Sequence, residues 1–268
     1  MGAIAGAFQV LILMWLRTAL NYQYRYGVSF QTALNELYRQ GGVLRFYNGV
    51  SYALLQCPLS KFGSMAANEG SRVIVDHFLP NNAFSDSLSS ALGAILSMIW
   101  KIILMPIETC KTVLQIDGRN AFKTLLLRFK AGNLSLLYEG SFSVALMTAV
   151  GHYPWFLTHN ILDRFINKPT GFLSNVLRSS VIGFMASAVS DTVSNPIRIV
   201  KTVKQSMAVN SDISYSQVVA KVYREGGWRG LFLRGLTARL IGNGIQSIIF
   251  TNVWKILVFY DVFKTNSR

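Results

Sequence analysis

The sequence predicts an all-α membrane protein of six transmembrane helices, built as three tandem units of span, short amphipathic helix and span. The first observation behind this is a repeat. Pro106-Ile107-Glu108-Thr109-Cys110-Lys111-Thr112-Val113-Leu114-Gln115 returns ninety residues later as Pro196-Ile197-Arg198-Ile199-Val200-Lys201-Thr202-Val203-Lys204-Gln205, and a period of that length is a whole structural unit. The second is block patterning: mostly apolar stretches lie near 2–20, 50–68, 88–110, 141–160, 174–200 and 236–262, close to the ~20 residues that cross a bilayer as helix. The third is composition, with 51% hydrophobic and 14% charged residues against the ~25% charged of a soluble domain. One domain, 1–268, divides into units 1–79, 80–170 and 171–268.

In the first unit, residues 1–22 form a span with Gly2 and Gly6 as small packing residues and Arg17 near its far end. No basic stretch precedes this apolar run, so it reads as a span and not as a signal peptide. Phe30, Ala33, Leu34, Leu37 and Tyr38 then share one helical face, and Gly41-Gly42 stops that helix. Gly49 opens the second span, which carries Pro58. Pro80-Asn81-Asn82 marks the boundary to the second unit. There a span leads to Pro106 and Lys111, an amphipathic helix is capped by Asn120 and stopped by Gly132, and Gly140 opens the next span. After Lys168-Pro169-Thr170-Gly171 the third unit runs through Pro196 and Lys201 to a helix starting near Ser216, then Gly226-Gly227, Gly235 and the last span. Gly49, Gly140 and Gly235 mark one place three times, 91 and 95 residues apart.

A formal charge of +14 could serve nucleic acid, but the Lys and Arg residues sit at span ends and in connecting segments, as anionic headgroups require, and no nucleic-acid motif accompanies them. Nucleic-acid binding is therefore not expected. Cys57 and Cys110 give neither a disulfide framework nor metal spacing. His152 and His159 lack a third ligand, so packing is expected of them and no metal site. Nothing has the pattern of an enzyme active site.

Three units of about a hundred residues, with P-x-[DE]-x-x-[KR] elements closing the odd spans and Glu225-Gly226-Gly227-Trp228-Arg229-Gly230-Leu231-Phe232-Leu233-Arg234-Gly235 in the third loop, resemble the mitochondrial carrier family. The resemblance implies a six-helix bundle with pseudo-threefold symmetry around a central cavity, in the mitochondrial inner membrane. It places both termini toward the intermembrane space and the short helices on the matrix side. It also implies a matrix gate at Arg17, Glu108, Lys111, Arg198 and Lys201, and a substrate contact level at Gln56, Met147, Thr148, Gly242 and Asn243. Bound cardiolipin is implied at Gly49, Gly140 and Gly235, helped by Arg45, Arg229 and Arg234; no other cofactor is expected.

The sequence departs from that pattern at both mouths. In the first unit Ile12 and Met14 stand where the proline and acid belong, and in the third Arg198 replaces the acid. Of three expected matrix pairs only Glu108 to Lys201 remains; Lys111 would face Met14 and Arg17 would face Arg198. Four bases and one acid leave the gate at +3, and an uncompensated buried charge costs ~3–5 kcal/mol. The opposite mouth offers Glu69 with Arg72, Asn160 with Asp163 and Lys255 with Val258, which give no complementary set. Lys101 and Asp191 each lie five residues before their prolines, so an ion pair between them in the cavity wall is expected.

These losses point to an accessory protein that keeps the carrier fold as a structural subunit of a larger inner-membrane assembly, for example a respiratory complex. The alternative is an active solute carrier that moves a small metabolite by alternating access with an atypical gate.

Overall fold

The computed structural model describes residues 2–78, 83–167 and 171–246, and every regular element among them is helical. In chain order these are α1 (Gly2–Tyr26), α2 (Phe30–Phe46), α3 (Val50–Phe78), α4 (Ala83–Ile103), α5 (Met105–Ile116) and α6 (Gly118–Lys130). A 3₁₀ turn (Leu134–Tyr138), α7 (Ser141–Phe165), α8 (Phe172–Met207) and α9 (Tyr215–Phe232) follow, and residues 236–246 begin a further helix, α10.

The long helices pack in chain order, α1 on α3, α3 on α4, α4 on α7 and α7 on α8. The ring closes where Gln9 Nε2 donates to the Gln246 carbonyl at 3.1 Å and Gly242 lies against Leu16. Inside the ring, α1, α5 and α8 meet one another pairwise. Apolar side chains point outward, among them Phe8, Leu11, Phe62, Met65, Ile99 and Leu157, while Gln9, Thr18, Thr109, Thr112, Gln115 and Gln205 are buried. That is the reverse of a soluble protein and suits an apolar solvent.

By length and apolarity, one described stretch, Leu134–Phe165, can cross a membrane by itself. Leu88–Ile103 and Met105–Ile116 reach that length only as a pair bent by 59°. Six separately apolar spans are therefore not what the described residues provide, because helices such as α8 carry Ser187, Ser190, Asp191, Ser194 and Asn195 toward the interior. The bend precedes Pro106, which cannot donate a helical hydrogen bond. Pro196 is carried inside the continuous α8, and α1 runs straight through without a proline.

The short helices lie across the ends of α1, α5 and α8. Ala33 and Leu37 of α2 are fully buried against Ala19 and Tyr22, a Leu burial worth about 1.5–3 kcal/mol. Leu125 of α6 packs with Cys110, Val113, Ala208 and Val209. Val218 and Val222 of α9 pack on Leu20, Ile199 and Val203. Ser29 caps α2 through the Thr32 amide, and Ser214 forms a capping box with Gln217 at α9. The α6 helix begins at Gly118, so Asn120 lies within it and is not its cap. Gly42 and Gly227 bend the short helices without ending them, and a further turn continues beyond each.

Candidate functional site

The three glycines that open α3, α7 and α10 make the same contact three times. Gly49, Gly140 and Gly235 have φ of 83°, 93° and 70°, a left-handed conformation that side chains resist. Gly49 backs onto α5, Gly140 onto α8 and Gly235 onto α1. A Cβ on Gly49 would stand 3.1 Å from the Lys111 carbonyl, one on Gly140 3.1 Å from Lys201 Cγ, and one on Gly235 2.6 Å from the Tyr24 ring.

An arginine accompanies each contact and caps the end of the same odd helix. Arg45 donates to the carbonyls of Leu114, Gln115 and Ile116 at 3.4, 2.9 and 2.7 Å. Arg128 donates to Ala208 and Val209 at 2.8 and 3.0 Å, and Arg234 to Tyr24 at 3.1 Å. These carbonyls lack helical partners and carry the negative end of the helix dipole. Thus α2 holds the end of α5, α6 that of α8, and the turn before α10 that of α1. Arg45 and Arg234, expected beside lipid, are buried, at 7% and 8% exposure, and turned to carbonyls, whereas Arg229 is exposed.

The odd-helix ends are then knitted together by polar groups. Asn21 donates to Gln115 Oε1 at 2.7 Å, and Gln115 Nε2 donates to the Met14 sulfur at 3.6 Å. Gln205 donates to Thr109 Oγ1 at 3.2 Å. Below them Asp117 accepts from Tyr26 at 2.8 Å and from Ser206 at 2.6 Å, and Arg25 reaches Ser206 at 2.9 Å.

Above this layer lies a cavity of about 290 Å³, lined by the five bases Arg17, Lys111, Arg198, Lys201 and Arg239 and by one acid, Glu108. Lys201 Nζ stands 2.5 Å from Glu108 Oε1. Arg17 donates to Gln246 Oε1 at 2.9 Å, and Lys111 donates to Gln56 Oε1. Lys111 therefore turns from Met14 to Gln56, because Met14 is fully buried and taken by Gln115.

The expected Lys101–Asp191 pair is not formed. Asp191 accepts instead from Arg198 at 3.0 Å, from Arg239 at 2.8 Å and from Asn243. Arg198 sits seven residues along α8 from Asp191, two turns away on the same face, within reach of a long side chain. Arg239 and Asn243 come from α10 opposite, so the carboxylate is already surrounded.

At the expected contact level, Gly242 and Asn243 line the cavity, while Gln56 acts through Lys111. Met147 and Thr148 do not line it; Thr148 Oγ1 turns back to the Val144 carbonyl at 2.9 Å. At the opposite mouth Asp163 bonds Arg178 at 2.7 Å, and Lys255 and Val258 lie outside the described residues. Among the described residues no group of three or more His, Cys, Asp and Glu side chains is placed to hold a metal. The sequence reading missed Gln246 and the amide layer. For the amides a signal existed: Asn21, Gln115 and Gln205 each follow Arg17, Lys111 and Lys201 by four residues, one helical turn.

Residues 173–266 match the family described as mitochondrial carrier protein. The chain is also 26% identical over 180 residues to the peroxisomal adenine nucleotide carrier 1 of Glycine max. That alignment covers 63% of this chain and 55% of the relative, so the chain spans about half the length of the curated protein it matches.

Proposed function

From the premise that this chain is a member of the mitochondrial carrier family, we propose that it is a solute carrier that moves a small anionic metabolite through its central cavity. The observation that carries this reading is the cavity lining. Five bases face one acid there, drawn from all three units, and Asp191 behind Arg198 and Arg239 lowers the balance to +3. A confined cationic site of this kind attracts a multivalent anion.

The scaffold reading rested on lost polar closure at both mouths and on a contact level without charge. At the ends of α1, α5 and α8 a polar amide layer and arginine caps stand in place of the lost pairs, so the losses at that mouth no longer argue against a working carrier. The similar soybean protein is named for adenine nucleotides, which makes a phosphate-bearing metabolite the first to try. Similarity to the carrier family supports an organelle membrane as its location and transport, not catalysis, as its role.

The finer proposal is a six-span bundle of units 1–79, 80–170 and 171–268 in the mitochondrial inner membrane, both termini toward the intermembrane space. Cardiolipin would sit at Gly49, Gly140 and Gly235, with exposed Arg229 as a headgroup partner and no nucleic acid involved. The purified chain in liposomes should exchange external labelled adenine nucleotide or phosphate against the same internal anion. Absence of exchange by protein that unfolds cooperatively would overturn the carrier reading, and comigration with a large inner-membrane complex after a salt wash would restore the structural subunit. Fractionation of mitochondria and peroxisomes tests the location.

A further inference from the structure

The gate positions hold more positive charge than their partners neutralise. Lys201 has Glu108, and Arg198 shares Asp191 with Arg239. Arg17 and Lys111, by contrast, end on the neutral amide oxygens of Gln246 and Gln56. An amide oxygen satisfies one N–H but offsets little charge, and a guanidinium keeps four further donors. The Arg198 Nε is also without a hydrogen-bond partner among the described residues, although that atom is buried. Arg17, Lys111 and Arg198 come from α1, α5 and α8 and line one cavity. Where the repeat would place two further carboxylates, the chain has Met14 and Arg198.

We propose that a small soluble oxyanion of the phosphate class binds between Arg17, Lys111 and Arg198 and takes the place of the two missing carboxylates. The anion then joins the three odd helices as the absent ion pairs would, so the closed arrangement is stabilised by its own ligand. Phosphate suits the site because its several oxygens can accept from bases on three helices at once, and charge-assisted bonds to Arg and Lys are the strong ones. The assignment deepens the carrier reading and rests on it only for the claim that the bound anion is also moved.

The experiment is thermal unfolding of the full chain in mild detergent, titrated with inorganic pyrophosphate and, separately, with cardiolipin. Pyrophosphate should raise the midpoint in a saturable way. Arg17→Gln and Lys111→Gln should each weaken the apparent affinity tenfold or more, while Arg17→Lys, which keeps the charge, should retain most of the response. Met14→Glu returns a carboxylate to the position where the repeat has an acid and should abolish much of the pyrophosphate shift; its midpoint without ligand reports whether it still folds. If it does not fold, the Arg17 pair of variants decides alone.

A pyrophosphate response unchanged by Arg17→Gln and Lys111→Gln overturns the site. So does stabilisation by cardiolipin alone that depends on Arg17, since a lipid headgroup would then be the occupant. Exchange in liposomes without an Arg17-dependent shift would sink the site and leave the carrier standing. A charge-dependent shift without exchange would keep the site and sink the carrier.

Discussion

At the scale of single residues, two kinds of position matter, those that fix backbone and those that fix charge. Gly140 is held at φ 93° with Lys201 Cγ 3.1 Å from where a Cβ would be. Gly140→Ala should therefore lower stability by about 1–2 kcal/mol, the ordinary cost of a left-handed side chain. A thermal midpoint equal to wild type would show that the turn relaxes freely. Glu108 and Lys201 form an ion pair in the cavity lining, and the Lys201 side chain is 8% exposed. Lys201→Met removes the ion-pair partner of Glu108, and breaking a buried pair costs about 3–5 kcal/mol. Glu108→Gln should be harsher for anion selectivity than for fold, because it raises the cavity charge. Chemical unfolding of both variants, read beside anion competition, separates the two effects.

At the scale of elements, the ends of α1, α5 and α8 depend on arginines from the preceding unit. Arg45 serves three carbonyls of the last turn of α5. Its loss in Arg45→Ala should cost about 1–3 kcal/mol, the desolvation left behind by unpaired carbonyls. The loss should be local, so hydrogen exchange ought to quicken around residues 114–118 before the rest of α5. Uniform quickening across all three units would mean that the cap holds the whole ring and not one helix end. These arginines occupy unrelated places in their units: Arg45 four residues before its marker glycine, Arg128 on α6, and Arg234 directly before Gly235. The repeat predicted the glycines and not the arginines, because a glycine is required by a turn whose position recurs. A long flexible side chain can reach one carbonyl from several starting points.

At the scale of the whole molecule, apolar side chains on the outside and amides, hydroxyls and bases inside describe a membrane protein with a polar centre. The chain should therefore stay in the membrane pellet after alkaline carbonate extraction of isolated organelles. Release into the supernatant would mean that its outer apolar faces are covered by protein and not lipid. The sequence by itself determined the helical class, the glycine turns and the starts of α2 and α9 to within a residue or two. Periodicity, capping and positive φ are local requirements, and local sequence states them. It also placed Glu108 opposite Lys201, since register alone brings those two together. Only the tertiary structure decided which partner each remaining charge takes. Asp191 went to Arg198, Arg239 and Asn243 and not to Lys101, Lys111 went to Gln56, and Arg17 to Gln246. Those choices are competitions between long side chains from different helices, and the nearest satisfied geometry, set by how the helices pack, wins them.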